Sequence, residues 1–528
     1  MAACSSGSGF DDELQPPDRV LSFYSNSTIL VTGGTGFLGK VLLEKILRCL
    51  NVRKVFLAVR SKDGRNADER LQDLLKDVIF DRLRMAYTVD QLLERIEAVE
   101  ISLEEPNGGE GLSMDSVKEG RLLVETELIF NVLASVKFNE CIKNAIGTNV
   151  GGTRRILQLA RRMHRLKSVV HVSTLYSNCD RTRIQERVYP DSPLNPDSVL
   201  QLSKMLSTDE MSQLQHCLLG ELPNTYTFSK KCAESLIQQE FADLPIGIFR
   251  PPIVLSTYRE PIAGWTDNLN GPAGLCLWTV KGYVRVIRGN GHKKANLVPV
   301  DYCVNALLVA CFDVAERSIG RRQQHDPEPV ESAEAWESPQ LVPVYNYMYE
   351  QANLTWGRYM SSVSMGFDGW IKRLCCYRRM VTKTNRFLET MAYFGLREWH
   401  IANENVVRLR TLLTPTEASM LEFDLSTIDW DEYFQSYIPG IRRYFLAERG
   451  LSKQPVGSGR VKSLQWHRSF MFFPVPHFPF DFYYSDPSKS RRAQFLYRLA
   501  CKLLWVYVCL KLGHRLYVVR NLFSILIS

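Results

Sequence analysis

Short apolar runs and amphipathic stretches alternate through the first half of the chain. Thr28-Ile-Leu-Val-Thr32 and Lys54-Val-Phe-Leu-Ala-Val59 are apolar runs of strand length, and residues 38–50 between them have helical spacing. Further apolar runs at 96–101, 128–132, 168–173 and 246–249 alternate with helical stretches at 142–164 and 225–241. A strand that is apolar throughout has both faces covered, and strand–helix–strand repetition joins strands in parallel. The pattern therefore predicts one continuous parallel sheet with helices on its faces. Residues 106–111 break it with a glycine-rich loop, and 317–340, polar and carrying Pro327, Pro329 and Pro339, reads as an exposed linker. Beyond Val344 the spacing turns helical, at 387–393, 403–413, 416–421 and 430–449. The expected order is a flexible N-terminus (1–26), a sheet domain (27–316), a linker (317–341), a smaller helical domain (342–447) and a tail (448–528).

Charge changes this picture at one end only. The chain has 528 residues, 45% of them hydrophobic, and a net charge of +8. Residues 440–528 hold 15 Lys or Arg against 3 Asp or Glu, which leaves 50 against 54 over residues 1–439. The basicity is therefore a property of the tail, and a nucleic-acid-binding body, whose cations spread over a folded face, is disfavoured. Residues 1–18 show no signal-peptide pattern. Thirteen cysteines without a C-x-x-C pair fit reduced thiols and a cytosolic compartment, with no metal site.

The first chemical signal is Thr32-Gly33-Gly34-Thr35-Gly36-Phe37-Leu38-Gly39, which follows the first strand and opens the first helix. Gly33 suits a tight turn, Gly36 a close backbone approach to a pyrophosphate, and Gly39 close helix–strand packing, with helix N–H groups facing the phosphates. A tight turn without a ligand is the competing reading, and its place at strand one of a βαβ series favours a dinucleotide. The expected fold is a Rossmann-type, doubly wound α/β sheet. At the end of the second strand, Val59-Arg60-Ser61-Lys62 offers cations to a ribose 2′-phosphate in place of the acid that would hold a 2′-hydroxyl, which points to NADPH.

The second signal is Tyr226-Thr-Phe-Ser-Lys230 near the start of a helix. The spacing puts both side chains on one face, where an ammonium would lower the phenol's pKa and ready it for proton transfer. His171-Val-Ser173-Thr174 ends the fifth strand, where hydroxyls face the crevice of an open α/β sheet. Thr174, or Ser173, would hydrogen-bond a substrate oxygen; a strand-end cap is the alternative.

These motifs resemble the extended short-chain dehydrogenase/reductases. Longer strings, residues 169–190, Asn224–Lys230, Arg250-Pro-Pro-Ile-Val254, 264–271 and Leu297-Val-Pro-Val-Asp301, resemble the fatty acyl-CoA reductases, as do 393–399 and 423–446 in the second half. The resemblance implies NADPH-dependent, two-step reduction of a fatty acyl-CoA thioester to a primary alcohol. It gives Thr174 and Tyr226 to the oxyanion, Tyr226 to proton donation, and Lys230 to tuning the phenol and holding the nicotinamide ribose. The 52 positions between Thr174 and Tyr226 leave an insertion to shape an acyl-CoA entrance. Three places differ from the family's usual pattern: Val99-Glu100 replaces Gly-Asp, Asn131-Val-Leu133-Ala134 replaces His-x-Ala-Ala, and an apolar segment is shortened to about residues 364–384. A sterol or sugar-nucleotide oxidoreductase, or a membrane scaffold without turnover, are the alternatives.

In the tail, residues 470–484 interleave aromatics with prolines, and 503–510 and 516–527 are apolar runs separated by Lys511, Gly513, His514 and Arg515. Neither run reaches the roughly 18 apolar residues of a transmembrane helix. Basic residues among Leu, Trp and Tyr suit a helix at an anionic membrane surface, with the catalytic domain facing the cytosol from the endoplasmic reticulum or a peroxisome.

Overall fold

The computed structural model describes residues 17–103, 112–189, 195–280, 284, 287–324, 342–349, 354–366, 388–389 and 391–445. Seven parallel strands form the central sheet: β1 (Thr28–Thr32), β2 (Lys54–Val59), β3 (Ile96–Glu100), β4 (Leu128–Asn131), β5 (Ser168–Val172), β6 (Ile246–Arg250) and β7 (Val344–Asn346). Their order is β7-β6-β5-β4-β1-β2-β3, so the winding reverses between β1 and β4. That reversal opens a crevice beyond the strand ends, which is where ligands bind in doubly wound sheets. Every residue of β1, β4, β5 and β6 is buried, which is why these strands read as unbroken apolar runs.

Register places polar side chains in a row near the crevice. Thr32 pairs with Asn131, and Asn131 with His171. The Thr32 hydroxyl donates to Asn131 Oδ1 at 2.8 Å, and Asn131 Nδ2 lies 3.0 Å from His171 Nδ1. All three residues are fully buried. In the helical stretch 142–164, Ile142–Ile146 and Gly152–Arg161 are α-helical and are joined by a π-turn at Gly147–Gly151.

Three sequence expectations are corrected. The N-terminal residues 17–26 are not a loose leader: the helix Arg19–Tyr24 buries Val20 and Tyr24, one turn apart. Glu417 accepts the Val20 and Leu21 N–H groups, and the Tyr24 hydroxyl donates to Leu308 O at 2.7 Å. The exposed linker does not begin at Arg317, because the helix Val300–Gln324 runs on past it; Arg317 pairs with Asp313 one turn back and donates to Asn405 Oδ1. The boundary near 342 does not separate two domains. β7 hydrogen-bonds along β6, with Val344 opposite Ile248 and Asn346 opposite Arg250. A three-residue strand, Val-Tyr-Asn, carries too little periodicity to be read alone.

The chain divides into two compact units, and neither is continuous in sequence. Among the described residues, one gathers those from 17 to 277, 296 to 349 and 399 to 445, together with Leu354; the other gathers those within 278–295 and 355–398. In the first, the helices Glu404–Arg410, Pro415–Met420 and Trp430–Phe445 accompany the sheet. In the second, Lys294 bridges to Thr355, Gly357 N donates to Gly291 O at 2.9 Å, and Lys293 pairs with Glu398 at 3.0 Å. The expected loop 106–111, most of the segment 364–384 and the whole basic tail lie outside the described residues. Among the described residues no helix is long and apolar enough to cross a membrane, and the cysteines are free thiols.

Candidate active site

The glycine turn forms because the backbone there leaves no room for side chains. Gly33 has φ +70, and a Cβ on it would stand 2.8 Å from Leu133 N. A Cβ on Gly39 would collide with the Gly33 carbonyl oxygen. The helix Phe37–Cys49 starts at Gly36 with no side-chain cap, so its first N–H groups have no capping acceptor from the N-cap and are offered to the crevice. The Phe37 ring stacks on Trp265 at 5.6 Å. Thr32, beneath the turn, donates to Asn131 and accepts from Leu133 N at 3.2 Å. Thr35 and Leu38 complete the turn and the helix start. An uncapped helix end behind a cradle that a Cβ would fill suits the pyrophosphate of a dinucleotide.

At the end of β2, Arg60 and Lys62 are exposed. Lys62 and Arg65 close a tight turn through Asp63 and Gly64, both at positive φ. Arg65 is held by Asp73 at 2.5 Å, whereas neither the Arg60 nor the Lys62 side chain has an ion-pair partner among the described residues. At the end of β3 the Glu100 carboxylate accepts from Ala67 N at 3.3 Å, so this departure from the family pattern caps a neighbouring helix.

Across the crevice, the helix Thr225–Glu240 is capped by Asn224, whose side chain accepts from Thr227 N at 2.9 Å. It carries Tyr226 and Lys230 one turn apart. The Thr174 hydroxyl, which points to Pro251 O at 3.5 Å, lies near enough to the Tyr226 phenol to favour its ionised form, and the Tyr226 ring lies 5.9 Å from that of Phe138. Lys230 is buried and donates to Val172 O at 2.7 Å. Thr174 therefore stands at the phenol, and it also serves as a cap, accepting from Tyr176 N at 3.3 Å. Ser173 is engaged elsewhere: its hydroxyl donates to Glu234. The structure brings Thr174, Tyr226 and Lys230 together and commits Ser173 to a neighbouring carboxylate.

The electrostatics differ from the expectation of a lowered phenol. Burial pushes Tyr226 up to about 12, with the Thr174 hydroxyl pulling down and Glu234 adding to the rise. Burial draws the Lys230 ammonium down to about 8, opposed by Glu234. Desolvation outweighs the Lys–Tyr spacing because the ammonium is turned onto a strand carbonyl. His171 is held neutral by burial and by Lys230, and its Nε2 has no hydrogen-bond partner among the described residues.

Motif reading missed two participants. Asn149, in the π-turn, donates to Ser229 Oγ at 2.9 Å and exchanges hydrogen bonds with the Ser135 backbone, which ties the loop after β4 to the Tyr226 helix. Glu234 pairs with Arg250 inside the protein. Its spacing, one turn past Lys230 and two past Tyr226, was available in the sequence; an isolated glutamate at that spacing signals nothing without the strand facing it.

Residues 31–307 match an NAD-binding domain family and residues 370–448 a second family, Sterile, both described as male sterility protein. The chain is similar to fatty acyl-CoA reductase wat of Drosophila melanogaster, 31% identical over 468 residues, covering 81% of this chain and 85% of that one. It is also similar to fatty acyl-CoA reductase 1 of Homo sapiens, 32% identical over 470 residues, covering 84% and 89%. Among solved structures, the terminal reductase domain of the myxalamid PKS-NRPS pathway superposes with a TM-score of 0.51 at 20% identity, covering 80% of this chain and 92% of that one. That likeness concerns the fold alone, a Rossmann-like parallel sheet with flanking helices. The similarity across most of the chain settles the lineage: this protein belongs to the fatty acyl-CoA reductase family of enzymes.

Proposed function

We propose that the protein reduces long-chain fatty acyl-CoA to a primary alcohol by way of an aldehyde, with NADPH as reductant and release of coenzyme A. NADPH would supply hydride in both steps. The residues of this chain would do the rest. Gly33–Gly39 and the uncapped helix start would hold the pyrophosphate, and Arg60 and Lys62 the 2′-phosphate. Thr174 and Tyr226 would donate to the oxygen of the reacting carbonyl as charge develops there. Tyr226 would then deliver its proton to that oxygen when the aldehyde is reduced. Lys230 would reach the nicotinamide ribose and hold positive charge beside the phenol. A phenol raised to about 12 keeps its proton until an oxyanion needs it.

The observation that carries this reading is the placing of the Thr174 hydroxyl where it acts on the Tyr226 phenol, one helical turn from a buried Lys230 held on the Val172 carbonyl, in a chain of this family. The helices Pro196–Met205 and Thr208–Leu219 fill the insertion between the two hydroxyl residues, with Met205 81% exposed; they support its assignment to the acyl-CoA entrance. The basic aromatic tail would attach the enzyme to an endoplasmic reticulum or peroxisomal membrane with its catalytic domain in the cytosol, where acyl substrates and alcohol products partition. Single-turnover oxidation of NADPH with a long-chain acyl-CoA, with the lipid product identified, tests the chemistry. Tyr226→Phe should lower the rate by about a thousandfold with little change in NADPH affinity. Wild-type turnover of sugar nucleotides or sterols, or no acyl-dependent oxidation at all, would refute it.

A further inference from the structure

Glu234 collects donors from three directions. Ser173 and Ser177 donate to Oε1, the latter at 2.8 Å, and Asn178 Nδ2 donates to Oε2 at 3.2 Å. Arg250 clasps both oxygens, Nε to Oε1 at 3.0 Å and Nη2 to Oε2 at 2.6 Å. The pair is sealed off, the Arg250 and Glu234 side chains being 0% and 2% exposed. Arg250 then reaches Gln185 O at 3.1 Å, Arg187 O at 2.9 Å and Asn346 Oδ1 at 3.3 Å. The Ser177 hydroxyl is equally close to Thr174 O, at 2.8 Å, so its one proton is shared between that carbonyl and the carboxylate, and the carboxylate reaches both sides of Thr174.

Stability alone is a poor account of such a cluster. Replacing a buried ion pair by apolar side chains of similar volume is often neutral or stabilising. What an apolar replacement cannot do is hold three hydroxyl- and amide-bearing residues of one turn in place, or put a negative charge one helical turn from Lys230. We infer that Glu234 is a positioning residue for catalysis: its carboxylate fixes the turn 173–178 so that the Thr174 hydroxyl meets the Tyr226 phenol, and its charge keeps Lys230 protonated. The inference rests on the roles proposed above for Thr174, Tyr226 and Lys230.

The charge component has a definite sign. Lys230 is faced by Glu234 and Tyr226 on its own helix and by neutral His171 and the Val172 carbonyl on β5; Arg250 on β6 stands behind Glu234. Of these only Glu234 favours the ammonium by charge. With glutamine at 234 the anion is gone and the Arg250 charge is uncompensated, so Lys230 gives up its proton at lower pH. The alkaline fall of kcat/KM moves toward acid. Loosening of the turn 173–178 appears separately, in kcat.

The test uses the full chain with NADPH and palmitoyl-CoA, comparing wild type, Glu234→Gln and Ser177→Ala. Glu234→Gln should keep NADPH affinity and acyl-CoA KM within about threefold, lower kcat at least about tenfold, and move the alkaline limb by about one pH unit. Ser177→Ala keeps the charge and removes the hydroxyl shared between Glu234 and Thr174 O, so kcat should fall about threefold with the limb unmoved. Wild-type kcat and an unshifted pH profile in Glu234→Gln would overturn the inference, as would a loss expressed wholly in KM or NADPH affinity. Should Glu234→Gln fail to fold, the Ser177→Ala/Asn178→Ala double variant decides: unchanged kcat overturns the positioning role, and a drop with KM held supports it. An inactive wild type defeats the reductase reading and this inference with it; an active wild type with an indifferent Glu234→Gln defeats the inference alone.

Discussion

The two walls of the crevice are made of different material. The wall at Gly33–Gly39 is backbone: a positive-φ turn, an uncapped helix start and an absence of side chains. The wall at Thr174, Tyr226 and Lys230 is side chain, and nearly every polar atom in it is held by another from a distant part of the chain. A backbone wall is specified by a few consecutive residues and tolerates almost no substitution at them. A side-chain wall is specified by residues from three strands and a helix, and it spreads its tolerance unevenly among them.

The largest effect that probes this difference separates two adjacent hydroxyls. Thr174→Val removes the group at the phenol and should lower kcat about a hundredfold. Ser173→Ala, which leaves Glu234 three other donor residues, should cost about fivefold. Steady-state kinetics on the pair checks this, and equal losses would erase the distinction drawn between them. On the backbone wall, Gly33→Ala forces a Cβ against Leu133 N at positive φ. It should cost about 2 kcal/mol, seen as a lower melting temperature and weaker NADPH binding, with the kcat of the bound enzyme spared. The exposed rim affects cofactor choice alone. Arg60→Ser/Lys62→Ser should raise the KM for NADPH about tenfold and leave that for NADH unchanged; a parallel change for both cofactors would remove the 2′-phosphate assignment.

The sequence carried the backbone wall well, because strand, glycine spacing and helix start are contiguous. β1 and β2 fall where their apolar runs end, and the helix Phe37–Cys49 differs from its expected bounds by one residue. Tyr226, Lys230 and Thr174 were legible as residue types in position. What spacing did not convey is the state they are in: burial raises the phenol and lowers the ammonium, and desolvation is a property of the packed core. Glu234 went unread for the same reason, and Arg250 was legible only as the first residue of a family string and not as its partner, since a buried pair between a helix and the facing strand end leaves no local pattern. β7 is too short to announce itself, and the division of the chain into two interleaved units cannot be seen by reading in one direction.

The polar row Thr32–Asn131–His171 has a consequence for how the sheet comes together. β1, β4 and β5 are apolar almost throughout, so hydrophobic burial alone would accept several alignments between them. Sliding β4 by one residue against its neighbours would set Phe130 or Val132 where Asn131 stands and strand an amide, an imidazole and a hydroxyl in the core, each costing roughly 1–3 kcal/mol. The three side chains thus act as a vernier on otherwise interchangeable strands. They bring the ends of β1, β4 and β5 level, and with them the glycine turn and Thr174, before any ligand arrives.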